Sequence, residues 1–188
     1  WCTYKYLNSS PGGLSGIYIH EKHVKDTSLP RFGGWWGHNE ERRFLMEPGF
    51  DPSPTAEGWQ LSNAPILLMA AHKASLDMFE EVGMEALRKK SLLLTGYLEF
   101  LMHELGKKYP QAAFEIISPS ESSQRGCQLS MLTKNNGKAL FDYLSARGVV
   151  ADWREPNVIR LAPVPLYNSF EDMYQFAQLL EQAIQTLN

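Results

Sequence analysis

Lys5 lies between two tyrosines in TYKYL (3–7), and Arg160 lies between Ile159 and Leu161 in NVIRLAPVPLY (157–167). Both are charges in apolar company, where an ion is costly unless a bond or a partner satisfies it. Desolvation lowers the pKa of a lysine amine and frees it to attack a carbonyl, which is the chemistry of Schiff-base lysines. A phenol beside it, such as Tyr4, could donate to a phosphate or pass a proton. The alternative is a lysine that snorkels from a strand end, and the stretch by itself leaves both open. An arginine such as Arg160 on a strand is either paired with an acidic neighbour or aimed at a ligand anion. Its planar fork matches a carboxylate through two parallel bonds. GGWWGH (33–38) adds indole donors and an aromatic wall in a glycine loop, although such loops also pack interfaces.

Other chemistries fit less well. His20 and His23 in HEKH are three apart, lack the i,i+4 pair of a zinc-protease helix, and have no third ligand placed by the sequence. No metal is therefore expected. No Gly-x-Ser-x-Gly turn presents a hydrolase serine, and the glycines of SSPGGLSG match no phosphate-cradling pattern. LRKKS (87–91) reads as a solvated helix face. Cys2 and Cys127 make no disulfide framework and read as reduced thiols of a cytoplasmic protein, with Cys127 buried in apolar GCQLSML. A net charge of -3 gives no pull toward nucleic acid or an anionic membrane. No apolar run approaches the ~18 residues that would span a bilayer.

The elements that must position these residues fall into two textures. Residues 1–61 are rich in Gly, Pro and Trp; a turn at Pro11-Gly12-Gly13 leads to a strand over GIYIH (16–20), and 31–59 is mostly loop. From residue 62 the pattern is regular. Apolar spacing predicts a helix with Leu76, Phe79 and Val82 on its face. A second follows, with Leu87, Leu94, Tyr97, Leu98, Leu101 and Leu105 on one side, ended by Gly106 and Pro110. AFEIISP and GCQLSML read as strands, GKALFDYLSARG as a helix closed by Gly148, and NVIRLAPVPLY as a strand stopped by prolines. A last helix starts at Asn168 or Ser169, with Asn168 and Glu171 at capping-box spacing. Such an order suggests an α+β unit.

In sequence, WCTYKYLNSSPGG, GIYIHEKH, GWWGH, SNAPILL, ALRKKSLLLTGYLEFL, RGCQLS and IRLAPVPLYNSF resemble the kynureninase family of tryptophan catabolism, along essentially the whole chain. The resemblance implies an aspartate aminotransferase-like (fold type I) α/β enzyme with an α+β C-terminal domain. Residues 1–61 would be the end of the cofactor-binding large domain and 62–188 the small domain. It implies pyridoxal 5'-phosphate held by Lys5 as a Schiff base. Tyr4 would contact the phosphate and act as an acid–base partner, and Trp35 would reach the phosphate through its indole nitrogen. Asn63 would lie near the phosphate and the substrate's ring across a homodimer interface, and Arg160 would hold the substrate's α-carboxylate. The implied reaction is hydrolysis of kynurenine or 3-hydroxykynurenine to anthranilate or 3-hydroxyanthranilate and alanine. The chain would enter at the lysine and by itself be incomplete for turnover. The rivals are another fold type I enzyme, an aminotransferase or a cysteine desulfurase with a mobile cysteine, and a non-catalytic binding or dimerisation module.

Overall fold

The computed structural model describes residues 2–3, 7 and 14–187. The chain divides into two compact units, Trp1–Glu81 and Val82–Asn188. The change of texture at residue 61 therefore falls inside the first unit, which keeps the helix that follows.

In the first unit, β1 (Cys2–Thr3) pairs antiparallel with β2 (Ser15–Gly16). The strand expected over 16–20 is thus only Ser15–Gly16. Among the described residues no partner strand continues beyond Gly16, and His20 instead caps α1 (Glu21–Val24), its Nδ1 accepting from the Lys22 amide at 3.2 Å. Two 3₁₀ turns, Trp35–Gly37 and Ala56–Trp59, organise the loop region. Backbone bonds from Asn39 to Asp51 (2.7 Å) and from Ser53 to Gly37 (2.9 Å) tie them together, and the Arg31 guanidinium lies 3.6 Å over the Trp59 ring.

Here the glycines allow backbone to meet backbone. A Cβ on Gly34 would stand 2.2 Å from the Leu61 Cα, and no rotamer could relieve the clash. Gly34→Ala is expected to destabilise the first unit by about 3 kcal/mol, the upper end for overpacking. The check is early proteolysis within residues 31–61 together with a lowered denaturation midpoint.

All but the last residue of α2 (Ile66–Val82) belongs to the first unit. The helix is where the spacing predicts it, but its apolar face is not the buried one. Leu76 and Val82 are exposed, Ile66 and Leu67 strongly so, and the buried positions are His72 and Ser75. The Ser75 hydroxyl donates to the Leu7 carbonyl, which anchors the helix to the chain just past Tyr6.

In the second unit, α3 (Met84–Lys108), α4 (Gly137–Ser145) and α5 (Phe170–Leu187) lie against a four-stranded antiparallel sheet. The strands are β3 (Phe114–Ile116), β4 (Leu129–Thr133), β5 (Asp152–Arg154) and β6 (Val158–Leu161), in spatial order β3-β4-β6-β5. Leu94, Leu98, Met102 and Leu105 repeat at helical spacing along α3. They share one core with Leu140 and Leu144 of α4 and with Phe176, Leu180 and Ile184 of α5. The sheet contributes Leu129, Met131, Ile159 and Leu161 to that core. Burying each such side chain contributes about 1.5–3 kcal/mol, so this core holds the layers together. Because strand side chains alternate, the residues between them point to the other face: Ser130, Leu132, Val158 and Arg160, with Asp152 and Arg154 beside them in register.

Three ends differ from their sequence signals or match them for a visible reason. Helix α3 passes through Gly106 and stops at Lys108, because the Tyr109 amide still donates to the Leu105 carbonyl at 2.8 Å. Gly148, at φ +87°, closes α4 as expected, with Val149 donating back to Leu144 at 3.1 Å. The cap of α5 is shifted by one residue from the Asn168–Glu171 expectation. Ser169 Oγ accepts from the Asp172 amide (3.2 Å) while the Asp172 carboxylate accepts from the Ser169 amide (2.8 Å). This reciprocal box holds the Asp172 carboxyl below its usual range, chiefly through the Ser169 amide.

Candidate functional site

Lys5 and Tyr4 lie outside the described residues. The described residues that flank them are Cys2 and Thr3, paired with β2, and Leu7, whose carbonyl accepts from Ser75.

Trp35 opens the first 3₁₀ turn and lines a cleft of about 430 Å³ with His38, Arg42, Arg43 and Phe50. Its ring meets Phe44 edge-on at 5.5 Å, and its indole nitrogen donates to the Arg43 carbonyl at 3.2 Å. A phosphate would have to take that donor from the carbonyl. The two cations of the cleft differ. Arg42 is engaged by Glu47 (2.6 Å) and Asp51 (3.2 Å), which hold its guanidinium firmly protonated, Glu47 most of all. Arg43 has no carboxylate partner among the described residues; it donates to the His38 carbonyl, stacks on Trp36 and has a buried Nε without a partner. An indole donor beside an unneutralised guanidinium is a donor set that suits an anion such as phosphate.

Asn63 is exposed and lines a different cavity of the first unit, about 1090 Å³, walled by Ile17, Pro65, Ile66, Met69 and Leu76. An amide at the rim of an apolar cavity suits a flat aromatic ring with a polar substituent. Trp35 and Asn63 therefore line separate clefts.

Arg160 sits on β6 in the second unit, on the sheet face away from the core. The question of its partner is answered: Asp152, directly opposite on β5. Arg160 Nε donates to Asp152 Oδ2 at 2.5 Å and Nη2 donates to the same oxygen. Arg154 reaches that oxygen too, at 3.1 Å, and Ser130 stands opposite Arg160 on its other side. Asp152 is the residue the sequence reading missed. Its signal was available, since 152 and 160 are equidistant from Pro156 in a short hairpin.

Cys127 is half-buried rather than buried, and burial pushes its thiol up, keeping it protonated. That is the reverse of what a nucleophilic cysteine needs, so the burial of this thiol does not favour the desulfurase rival. Its loop is pinned by Arg125, whose buried guanidinium donates to Glu99 on α3 (3.1 Å) and to the Pro119 carbonyl (3.0 Å). The bond from Arg125 holds the Glu99 carboxyl below its usual range. Among the described residues no helix is long and apolar enough to cross a membrane.

A family model described as the kynureninase C-terminal domain matches residues 87–180. The chain is 59% identical over 184 residues to a kynureninase of Flavobacterium psychrophilum, covering 98% of this chain and 43% of that protein. It is 58% identical to one of Flavobacterium johnsoniae with the same coverage. To one of Stenotrophomonas maltophilia it is 53% identical, over 96% of this chain and 42% of that protein. The chain spans less than half the length of these relatives.

Proposed function

Because the chain belongs to the kynureninase C-terminal domain family, we propose that it works as the C-terminal part of a kynureninase with the aspartate aminotransferase fold. Its substrate would be kynurenine or its 3-hydroxy form, and its products alanine and the anthranilate. The observation that carries this reading is similarity along nearly the whole chain, at 52–59% identity to proteins named for that activity. Residues 1–61 are assigned to the large domain and 62–188 to the small one. A cytoplasmic homodimer, with Asn63 contributed across its interface, completes the proposal.

Pyridoxal 5'-phosphate, when bound, supplies an electron sink for negative charge developing at the substrate's Cα. The chain's own groups do the rest. Lys5 would hold the cofactor and, as a free amine, would take the proton from the substrate's Cα. Tyr4 serves the second, separately timed proton transfer, which suits a Lys–Tyr pair better than a lone amine. Trp35, with Arg43 beside it, supplies positive and donor character for the phosphate. Asn63, at the rim of an apolar cavity, meets the substrate's ring. Arg160 binds and orients the α-carboxylate, which fixes the geometry of the scissile Cβ–Cγ bond.

The full-length protein is expected to show a visible-edge absorbance band that borohydride reduction removes. Peptide mapping should then find the reduced adduct on Lys5. A stable adduct elsewhere, or no bound chromophore, would remove the proposal.

A further inference from the structure

We infer that Asp152 is the positioning residue that sets the carboxylate-binding geometry of Arg160. The inference rests on the proposal that Arg160 holds the substrate's α-carboxylate. A guanidinium has five N–H donors in one plane, arranged along a side edge (Nε and one terminal nitrogen) and an end edge (both terminal nitrogens). Asp152 takes the side edge of Arg160 through a single oxygen. The end edge is left for a ligand: among the described residues Nη1 of Arg160 makes no hydrogen bond. Two parallel bonds from that edge to a carboxylate are the geometry arginine provides and lysine does not.

The placement is built into the sheet. Asp152 and Arg160 face each other across β5 and β6, and Ile159 and Leu161, the neighbours of Arg160, are locked in the core. The guanidinium plane is therefore fixed from both strands before a ligand arrives, which lowers the ordering cost of binding. Charge is also arranged. Asp152 alone would cancel Arg160 and weaken its hold on an anion. Arg154 shares the same Asp152 oxygen, so two cations and one anion leave the cluster at a net charge of +1.

The test uses the full-length protein with two probes, L-kynurenine and kynuramine, the same molecule without its carboxylate. Asp152→Asn keeps the side chain's size and removes its charge. Kd and KM for kynurenine are expected to rise about tenfold, the lost orientation of the guanidinium outweighing the gained positive charge, with kcat within about threefold and kynuramine binding unchanged. Arg154→Gln removes the shared cation and should weaken kynurenine binding about threefold, again without effect on kynuramine. Unchanged or tighter kynurenine binding in Asp152→Asn would overturn the inference, as would an equal loss for both probes. Should Asp152→Asn fold poorly, unchanged kynurenine binding in Arg154→Gln has the same force. Arg160→Lys separates the two layers. If it abolishes the preference for kynurenine over kynuramine and Asp152→Asn does not, the positioning role alone fails. If the preference survives both substitutions, the assignment of Arg160 fails with it.

Discussion

Lys5→Ala in the full-length protein is expected to abolish kynurenine turnover, a loss of about 10⁴-fold or more in kcat. Two functions disappear with one amine. The cofactor loses its covalent attachment, and the Cα proton loses its acceptor, which by itself is worth about 10²–10⁴-fold. The expected pattern is specific: cofactor still bound through phosphate contacts, kynurenine still bound through Arg160, and no release of anthranilate in single-turnover measurements. Added methylamine should restore part of the rate, since a small amine can occupy the vacated space and accept the proton. Tyr4 should not compensate, because a phenol's pKa lies far above that of a desolvated amine. Activity within a few-fold of the parent would show that Lys5 is the snorkelling lysine its local sequence also allows.

The second unit was legible because its signals agree at every level. The α3 leucines at 94, 98 and 105 keep a helical period, and Leu129, Met131 and Thr133 alternate on β4. Gly148 stands where a left-handed residue is needed. Core packing then only confirms what local pattern states. The first unit was less legible for physical reasons. GIYIH has the composition of a strand, but a strand exists only where a partner strand pairs with it, and among the described residues pairing covers Ser15–Gly16. In α2 the periodic apolar residues suggested burial, yet the buried stripe carries His72 and Ser75. Periodicity identifies a helix, not which of its faces is covered.

The candidate site divides in the same way. Residue types gave Lys5, Trp35 and Arg160 as chemically interesting, and only the ordered resemblance gave them roles. What one-dimensional reading could not supply was the company each keeps. The Trp35 indole is directed at the Arg43 carbonyl, which depends on a loop closing eight residues on. The partner of Arg160 is also eight residues away, across the hairpin. The shift of the α5 cap from Asn168 to Ser169 is a smaller instance: both residues can cap, and only backbone direction decides between them.

Arg160→Lys keeps the charge and should nevertheless raise kynurenine KM by about 10–100-fold, the equivalent of a lost charge-assisted pair of roughly 1.5–3 kcal/mol. An ammonium is a compact point charge whose donors cannot lie along two edges of one plane. Placed beside Asp152, it would form a simple ion pair with that carboxylate and offer the substrate little. The effect on folding should be small by comparison. Arg160 and Asp152 are both partly exposed, on the polar face of the sheet, and cross-strand charge pairs contribute about 0.2–1 kcal/mol. Binding and stability are therefore expected to separate, and melting curves run beside kinetics would show it. If instead melting falls by several degrees while kynurenine affinity holds, the pair with Asp152 is what Arg160 is for, and the carboxylate must be held by another group.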